Sequence, residues 1–145
     1  MIDDRLLCTF RLADHLFGIE ISSVQEVLRE QEITRLPLAS PAVRGVINLR
    51  GRILPAIDLR RCLDMEPAPR NQHRANIVVR GTSSSSVSLL VDEIGEVVEA
   101  PFSAYERTPE TLQGRARDLI EGVYKLQEEL LLVLVIGKVL RAAYS

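Results

Sequence analysis

The chain has 145 residues, with 18 basic and 20 acidic side chains and a formal net charge of −2 at pH 7. This overall charge does not favour nucleic acid or anionic lipid as a partner. Hydrophobic residues make up 46% of the sequence, which is enough for a packed core and excludes an intrinsically disordered chain. Because aromatic residues make up only 4%, the core must be built from valine, leucine and isoleucine, which favour strands.

The ends of the chain and its cysteines predict the compartment. The acidic start, Met1–Arg5, does not have the pattern of a secretion signal. The longest apolar run, Leu130–Ile136, is too short to cross a bilayer. Cys8 and Cys62 are far apart in the sequence and predict buried thiols in a reducing compartment. We therefore expect a cytoplasmic protein.

The N-terminal part of the chain predicts a hairpin followed by a helix. Apolar residues alternate in Leu6–Leu12 and again in Phe17–Ile21, which is typical of two paired strands. The spacing of apolar residues changes to that of a helix in Ser23–Leu28. Ser23 and Glu26 fit a capping box at the start of this helix.

The stretch Gly45–Asp58 predicts a second β-hairpin. Its two apolar runs flank a four-residue tip in which Gly51 tolerates a positive φ angle. Pro55 lies in the second strand and predicts either an edge strand or a bulge. Asp58 can cap a short helix that runs through Leu63.

The polar segment Met65–Arg74 contains two prolines and predicts a boundary between two halves of the chain. The second half predicts strands, a long surface loop and a terminal segment that is either a short helix or a tail. Strands are predicted at 75–80, 87–91, 97–98, 119–126 and 130–136, the loop at 103–118, and the terminal segment at 138–143.

Several of these segments together carry a resemblance to a known family. The chain resembles the CheW family of chemotaxis coupling adaptors over roughly residues 6–140. The segments that carry the resemblance are Gly45–Gly51, Ile53–Leu59, Phe17–Ile21, Val24–Val27, Leu90–Ile94 and Glu96–Val97.

The resemblance implies an all-β fold with short helices and a single domain over residues 6–143. In that fold two small SH3-like, five-stranded β-barrels share an apolar core. The first subdomain is expected at about 16–64 plus a terminal element, and the second at about 75–135. The residues themselves also predict two all-β halves joined by a polar link.

The resemblance implies a non-enzymatic adaptor that couples chemoreceptors, the methyl-accepting chemotaxis proteins, to a CheA-type histidine kinase. The implied partners are the cytoplasmic hairpin tip of the receptor and the regulatory domain of the kinase. We expect no cofactor, metal or membrane insertion, and a monomer in isolation that joins larger arrays at membrane-bound receptor clusters.

Four residues are predicted to bind the receptor: Val24, Glu26, Arg50 and Ile53. Val24 and Glu26 match positions that border the receptor groove in the family, although Glu26 has the alternative role of capping its helix. Arg50 has three possible roles: a solvated salt bridge, a bidentate donor to a carboxylate of the partner, or a lock between the subdomains.

Three residues are predicted to bind the kinase: Val43, Arg44 and Gly45. The resemblance implies that they lie on the first barrel, on or near the surface that family members offer to the kinase. The alternative for Gly45 is an ordinary turn glycine before a strand.

Two other functional classes remain open from the residues alone. Arg44, Arg50, Arg52, Arg60 and Arg61 could form a basic patch for nucleic acid, but no aromatic residue lies among them to stack on bases. An acidic protein surface is therefore the favoured partner of such a patch.

The second class is a small enzyme that uses Asp92, Glu93, Glu96 and Glu99 as general acids or as ligands for a hard cation. Four carboxylates on a strand pair are more often a solvated face. The two histidines lie far apart in the sequence, and no common catalytic motif is present.

Overall fold

The computed structural model describes residues 4–37, 40–81, 85–110 and 114–144, and within these ranges the chain forms eleven strands and three short α-helices. The strands are β1 (Arg5–Leu12), β2 (His15–Glu20), β3 (Val24–Leu28), β4 (Val43–Leu49), β5 (Arg52–Asp58), β6 (Ala75–Arg80), β7 (Ser86–Val91), β8 (Glu93–Ala100), β9 (Tyr105–Glu106), β10 (Ile120–Lys125) and β11 (Leu130–Leu134). The helices are α1 (Leu59–Cys62), α2 (Arg115–Leu119) and α3 (Ile136–Ala143).

The strands form two sheets, which confirms the predicted all-β class. The five-stranded sheet has the order β3-β6-β7-β5-β4, and the six-stranded sheet has the order β8-β1-β2-β11-β10-β9. The five-stranded sheet thus takes strands from residues 24–91, and the chain changes sheet near residues 20 and 92. This division differs from the predicted subdomains, because β6 and β7 join the strands of the first half instead of those of the second. Each sheet also contains one parallel pair, β5–β7 and β2–β11, that joins distant segments of the chain.

A shared apolar core holds the two sheets together. The largest buried cluster draws residues from both sheets and from the helices, including Phe10 and Phe17, whose stacked rings lie 6.0 Å apart. Cys8 and Cys62 belong to this cluster as free thiols, as the sequence predicts. Burial raises the pKa of both thiols, that of Cys62 to about 12, so both behave as small hydrophobic side chains.

The predicted helix at Ser23–Leu28 is wrong. A short 3-10 turn, Ile21–Ser23, leads directly into strand β3, which pairs with β6. Side chains at 24, 26 and 28 are half-buried and those at 25 and 27 are exposed, which is the alternation of a strand. Pairing with β6 prevails over the helical spacing because a five-residue helix has little stability of its own. The capping box at Glu26 is therefore also wrong.

The hairpin at residues 45–58 is confirmed as β4 and β5, with a two-residue turn at Arg50 and Gly51. Both turn residues have positive φ angles, 53° and 82°, which is the conformation that matches the twist of a hairpin. The side chain of Asn48 supports the turn by accepting a hydrogen bond from the Gly51 N–H at 3.0 Å. The conformation of the hairpin tip is thus determined by the turn residues themselves and by their neighbour Asn48.

The prediction from Pro55 is wrong about the edge, because β5 lies between β4 and β7. Pro55 is opposite Val46, whose N–H and C=O both bond to Thr34, at 2.8 and 2.9 Å. Pairing with β7 starts only at Ala56, so the ladder needs no donor at the proline. The bulge lies in β4 instead, between Val43 and Gly45. The Thr34–Val46 bridge connects the segment that follows β3 with strand β4, and β3 and β4 are the two edge strands of this sheet. The five-stranded sheet is therefore compatible with closure into a barrel.

The other predicted elements are largely as expected. Asp58 caps α1 by accepting a hydrogen bond from the Arg60 N–H at 3.1 Å, and the terminal segment forms the helix α3. The predicted surface loop at 103–118 contains the short strand β9 and the helix α2, and its residues 111–113 lie outside the described ranges. In the part of the chain that is described, no helix is long and apolar enough to span a membrane.

Gly45 is required by the close approach of another backbone segment. It lies buried within β4 with a φ angle of 154°, so it is not a turn glycine. A Cβ atom at this position would lie only 2.1 Å from the carbonyl oxygen of Thr34. A larger residue would therefore separate β4 from the bridge at Thr34.

We expect Gly45→Ala to lower the free energy of unfolding by about 3 kcal/mol, because the new methyl group overlaps rigid backbone. Urea denaturation of the variant measures this loss. Gly137→Ala in α3 is the matched control, since its Cβ would meet no atom within 4 Å. A helical glycine replaced by alanine should gain about 0.5 kcal/mol. Equal stabilities of the two variants would contradict the role given to Gly45.

Candidate partner-binding surfaces

An exposed ion pair marks the tip of the β4–β5 hairpin. Arg50 at the tip donates to both carboxylate oxygens of Glu26 on β3, with an Nη1–Oε1 distance of 2.8 Å and a second contact from Nη2 to Oε2. The hydrogen bonds from Arg50 lower the pKa of Glu26. The structure thus brings these two predicted receptor residues together across opposite edges of the five-stranded sheet. Arg50 does not lock the two sheets to each other.

Apolar side chains accompany this ion pair. Ile53, on β5, is 61% exposed, an unusually large fraction for isoleucine in a folded protein. Val24 is only half-buried, because part of its side chain packs against the core. Val27, next to Glu26 on β3, is also exposed. The sequence missed Val27 as a surface residue because the helical spacing placed it on a buried face.

Of the three predicted kinase residues, only Arg44 offers a long side chain to solvent. Val43 is half-buried against the core, and Gly45 is buried. Arg44 is 45% exposed, and its Nη1 lies 3.5 Å from the carboxylate of Asp58. Gly45 shapes this surface through its backbone rather than by contact.

Behind Arg44 lies a set of four charged side chains, which we name the buried ion network: Asp58, Arg60, Arg74 and Asp92. Arg60 donates from Nε to both oxygens of Asp92, at 3.0 and 3.1 Å, and a further contact comes from its Nη2. Arg74 donates to Asp58 at 2.8 Å. These charges are all largely buried, so each must be paired to avoid a large desolvation penalty.

The network joins the two sheets. Arg60 follows β5 of the five-stranded sheet, and Asp92 lies where the chain passes from β7 to β8 of the six-stranded sheet. Asp92 also accepts a hydrogen bond at 2.6 Å from the N–H of Ala13, in the turn between β1 and β2. Arg60 also donates a hydrogen bond to the carbonyl oxygen of Glu66 at 2.9 Å, and this bond fixes the beginning of the polar link, Met65–Arg74, against the network.

This network corrects the interpretation of the acidic cluster. Glu93, Glu96 and Glu99 are exposed on β8, but the side chain of Asp92 is only 7% exposed and is not part of a solvated face. Burial alone would raise the pKa of Asp92, but hydrogen bonds from Arg60 and Ala13 and the charges of the two arginines lower it overall. Among the described residues, no group of histidine, cysteine and carboxylate side chains is arranged to hold a metal ion.

The run of arginines does not form one basic face. Arg50 pairs with Glu26, Arg60 with Asp92 and Arg44 with Asp58, while Arg52 donates to the hydroxyl of Ser86 at 2.9 Å. Carboxylates of the same chain thus balance most of this charge. Among the described residues, these arginines therefore form no continuous basic face of the kind that tracks a nucleic-acid backbone.

Comparison with known proteins places this all-β domain in a family. The model of the CheW-like domain family matches residues 6–144. A probable chemotaxis protein CheW of Rhizobium etli is 33% identical over 129 residues, covering 88% of this chain and 82% of the relative. The chemotaxis protein CheW of Bacillus subtilis is 32% identical over 124 residues, covering 86% of this chain and 79% of the relative.

A solved structure extends the similarity to the whole fold. The crystal structure of the scaffolding protein TtCheW from Thermoanaerobacter tengcongensis matches with a TM-score of 0.83 at 26% identity, covering 94% of this chain and 92% of that chain. The chain belongs to the CheW-like domain family, which confirms the resemblance found in the sequence. Its function is that of a chemotaxis coupling adaptor.

The lowered pKa of Asp92 predicts how stability depends on pH. A carboxylate with a depressed folded-state pKa stabilises the protein above its unfolded pKa, about 3.9, and loses this contribution as the pH falls further. We expect Asp92→Asn to cost about 3 kcal/mol at pH 7, because it leaves Arg60 without its partner. The cost should shrink towards pH 3.

Urea denaturation at pH 7 and pH 3 measures both effects. Glu93→Gln is the control, since this neighbouring carboxylate is exposed and its loss should change stability by less than about 0.5 kcal/mol. A cost for Asp92→Asn that stays the same at both pH values would show that Asp92 does not act through its charge.

Proposed function

We propose that this protein joins the cytoplasmic tip of a chemoreceptor to the regulatory domain of a CheA-type histidine kinase, and that it does so without catalysis of its own. One observation carries the proposal: the five-stranded sheet presents the Arg50–Glu26 pair and Arg44 as separate exposed sites, and the buried ion network fixes that sheet against the rest of the domain. Membership of the family supports the same role.

The receptor surface consists of the Arg50–Glu26 pair with exposed Ile53 and the accessible part of Val24. An amphipathic helical hairpin can place its apolar face on the two aliphatic residues, which is an established mode of peptide recognition. Because the arginine side chain is 69% exposed, the pair adds little to stability. Arg50 can therefore exchange Glu26 for a carboxylate of the receptor at small cost.

The kinase surface lies around Val43, Arg44 and Gly45 on β4, which is an edge strand of the five-stranded sheet. The bridge from Thr34 covers only part of this edge. A similar β-domain of the kinase can pack against the uncovered part. Two weak contacts on one rigid body raise the effective concentration of one partner near the other, which favours arrays over isolated pairs.

The proposal places the protein in the cytoplasm, where it is recruited to clusters of membrane-bound receptors. It is a monomer in isolation, because the partners and not a second copy cover its interaction surfaces. Regulation then consists of shifting the kinase between two states through the geometry of the complex.

The exposed ion pair gives a direct test of the receptor surface. We expect Arg50→Ala to weaken binding of a chemoreceptor signalling fragment from the same genome by about tenfold, because one charge-assisted contact is lost. Isothermal titration calorimetry measures the affinity. Arg11→Ala is the matched control, since Arg11 forms a similar exposed ion pair with Glu129 on the six-stranded sheet.

A charge-exchanged double variant separates contact from structure. Glu26→Arg combined with Arg50→Glu keeps an ion pair across the sheet edges but presents the charges in reverse. We expect this variant to remain folded and to bind the receptor fragment as weakly as Arg50→Ala does. Full affinity in the double variant would mean that the pair is only structural, and would remove it from the receptor surface.

A further inference from the structure

Arg52, the first residue of β5, is exposed beside the receptor surface of the proposed function. It lies two positions after Arg50 and directly before Ile53, and both of these residues belong to that surface. Its guanidinium is held in place, because Nη2 donates a hydrogen bond to the hydroxyl of Ser86 at 2.9 Å. The bond removes part of the rotamer freedom that an exposed arginine would otherwise lose on binding a partner.

The hydroxyl that holds Arg52 is itself fixed. Ser86 is buried at the start of β7, and its Oγ donates to Oε1 of Gln25 on β3 at 2.6 Å. Gln25 directly precedes Glu26, the partner of Arg50, so two links connect the β4–β5 hairpin to neighbouring residues of β3. The first link ends on a carboxylate. The second ends on an amide and leaves the charge of Arg52 without a counter-charge.

Positive charge exceeds negative charge at this end of the five-stranded sheet. Its five strands contain two acidic residues, Glu26 and Asp58. Asp58 ends β5, roughly 20 Å along the strand from Arg52, and pairs with other arginines there. Arg80, opposite Ser86 in the ladder, is a further exposed arginine. In the described parts of the chain neither Arg52 nor Arg80 forms an ion pair.

Arg52 also has unused hydrogen-bond donors. A guanidinium carries several N–H groups, and the bond to Ser86 uses one of them. A planar guanidinium with free donors is suited to bidentate binding of a carboxylate. The exposed apolar side chain of Ile53 beside it favours a protein surface as the source of that carboxylate, because protein interfaces combine arginine with apolar contacts.

The spacing of Arg50 and Arg52 matches one turn of a helix. Consecutive Cα atoms are about 3.8 Å apart, so the Cα atoms of these two residues are separated by at most about 7 Å. Side chains three or four positions apart on a helix lie about 5–6 Å from each other. Two acidic residues one turn apart on a receptor helix can therefore reach both guanidinium groups.

We infer that Arg52 binds a second carboxylate of the receptor tip, about one helical turn from the carboxylate that pairs with Arg50. This inference rests on the proposed function and specifies which receptors the surface selects, namely those with two acidic residues at this spacing. Ser86 is a positioning residue, since it is buried and acts through Arg52.

Titration calorimetry of the protein with a receptor signalling fragment from its own genome tests the inference. Arg52→Ala should weaken binding about tenfold, and Ser86→Ala about threefold, because the arginine then remains but is no longer held. Arg52→Lys should not restore the affinity, since an ammonium group lacks the bidentate geometry. Arg80→Ala is the matched control, because it removes an exposed arginine from the same end of the sheet and changes the net charge equally. It should alter the affinity by less than about twofold.

Replacing the acidic residues of the receptor fragment singly by their amides identifies the second carboxylate. Against the fragment that lacks it, Arg52→Ala and the wild type should bind equally, whereas Arg50→Ala should still weaken binding. Two results would overturn the inference while the adaptor role remains: equal affinities of Arg52→Ala and Arg80→Ala, or the same loss in Arg52→Ala against every fragment. Absence of binding by the wild type to every receptor fragment of that genome would overturn the proposed function itself. Because Arg52 is exposed, Arg52→Ala should fold, and a thermal unfolding curve checks this.

Discussion

The ion pair between Arg60 and Asp92 is the contact that fixes the two sheets relative to each other. Asp92 is the residue at which the chain leaves the five-stranded sheet, and Arg60 lies just beyond the end of β5. Both side chains are more than nine-tenths buried, so a change in the angle between the sheets would leave a charge without its partner. Apolar contacts in the core tolerate small shifts, but a bidentate ion pair with the additional bond from Ala13 does not.

This constraint separates the arginines of the chain into two roles. Arg60 and Arg74 are buried and hold the domain together, whereas Arg44 and Arg50 are exposed and face possible partners. The difference in their burial arises from where the fold places each of them. A surface arginine in a weak pair can change its partner at little cost, while a buried one cannot. A scaffold protein needs both kinds of arginine, because buried ones keep the domain rigid and exposed ones can exchange an internal carboxylate for one of a partner.

Local signals in the sequence predicted a large part of this fold. The hairpin at 45–58 follows from a glycine at its turn and two apolar runs, and the strands of the second half follow from their composition. The prediction of a helix at strand β3 is wrong because Val24, Val27 and Leu28 have helical spacing. The two-residue alternation of a strand becomes evident only from the pairing with β6. The family resemblance was confirmed because it depended on several segments together.

The features that the sequence did not predict depend on contacts between distant residues. Arg74 lies in a polar link whose composition suggests only a boundary, and its bond to Asp58 requires the folded sheet. The requirement for Gly45 comes from the backbone of Thr34, eleven positions earlier, which no local pattern indicates. The parallel pairs β2–β11 and β5–β7 are likewise set by the whole chain. Among the predicted contact residues, the exposure of Arg44 and the burial of Gly45 could be distinguished only in three dimensions.

The central claim is that one rigid domain carries two surfaces that can be occupied at the same time. The most direct test is to titrate the kinase regulatory domain into this protein alone and into this protein saturated with the receptor fragment. The account predicts one kinase domain bound per protein in both titrations, with affinities that agree within about threefold. Loss of kinase binding in the presence of the receptor fragment would show that the two partners compete for one surface, and would contradict the coupling role assigned to this structure.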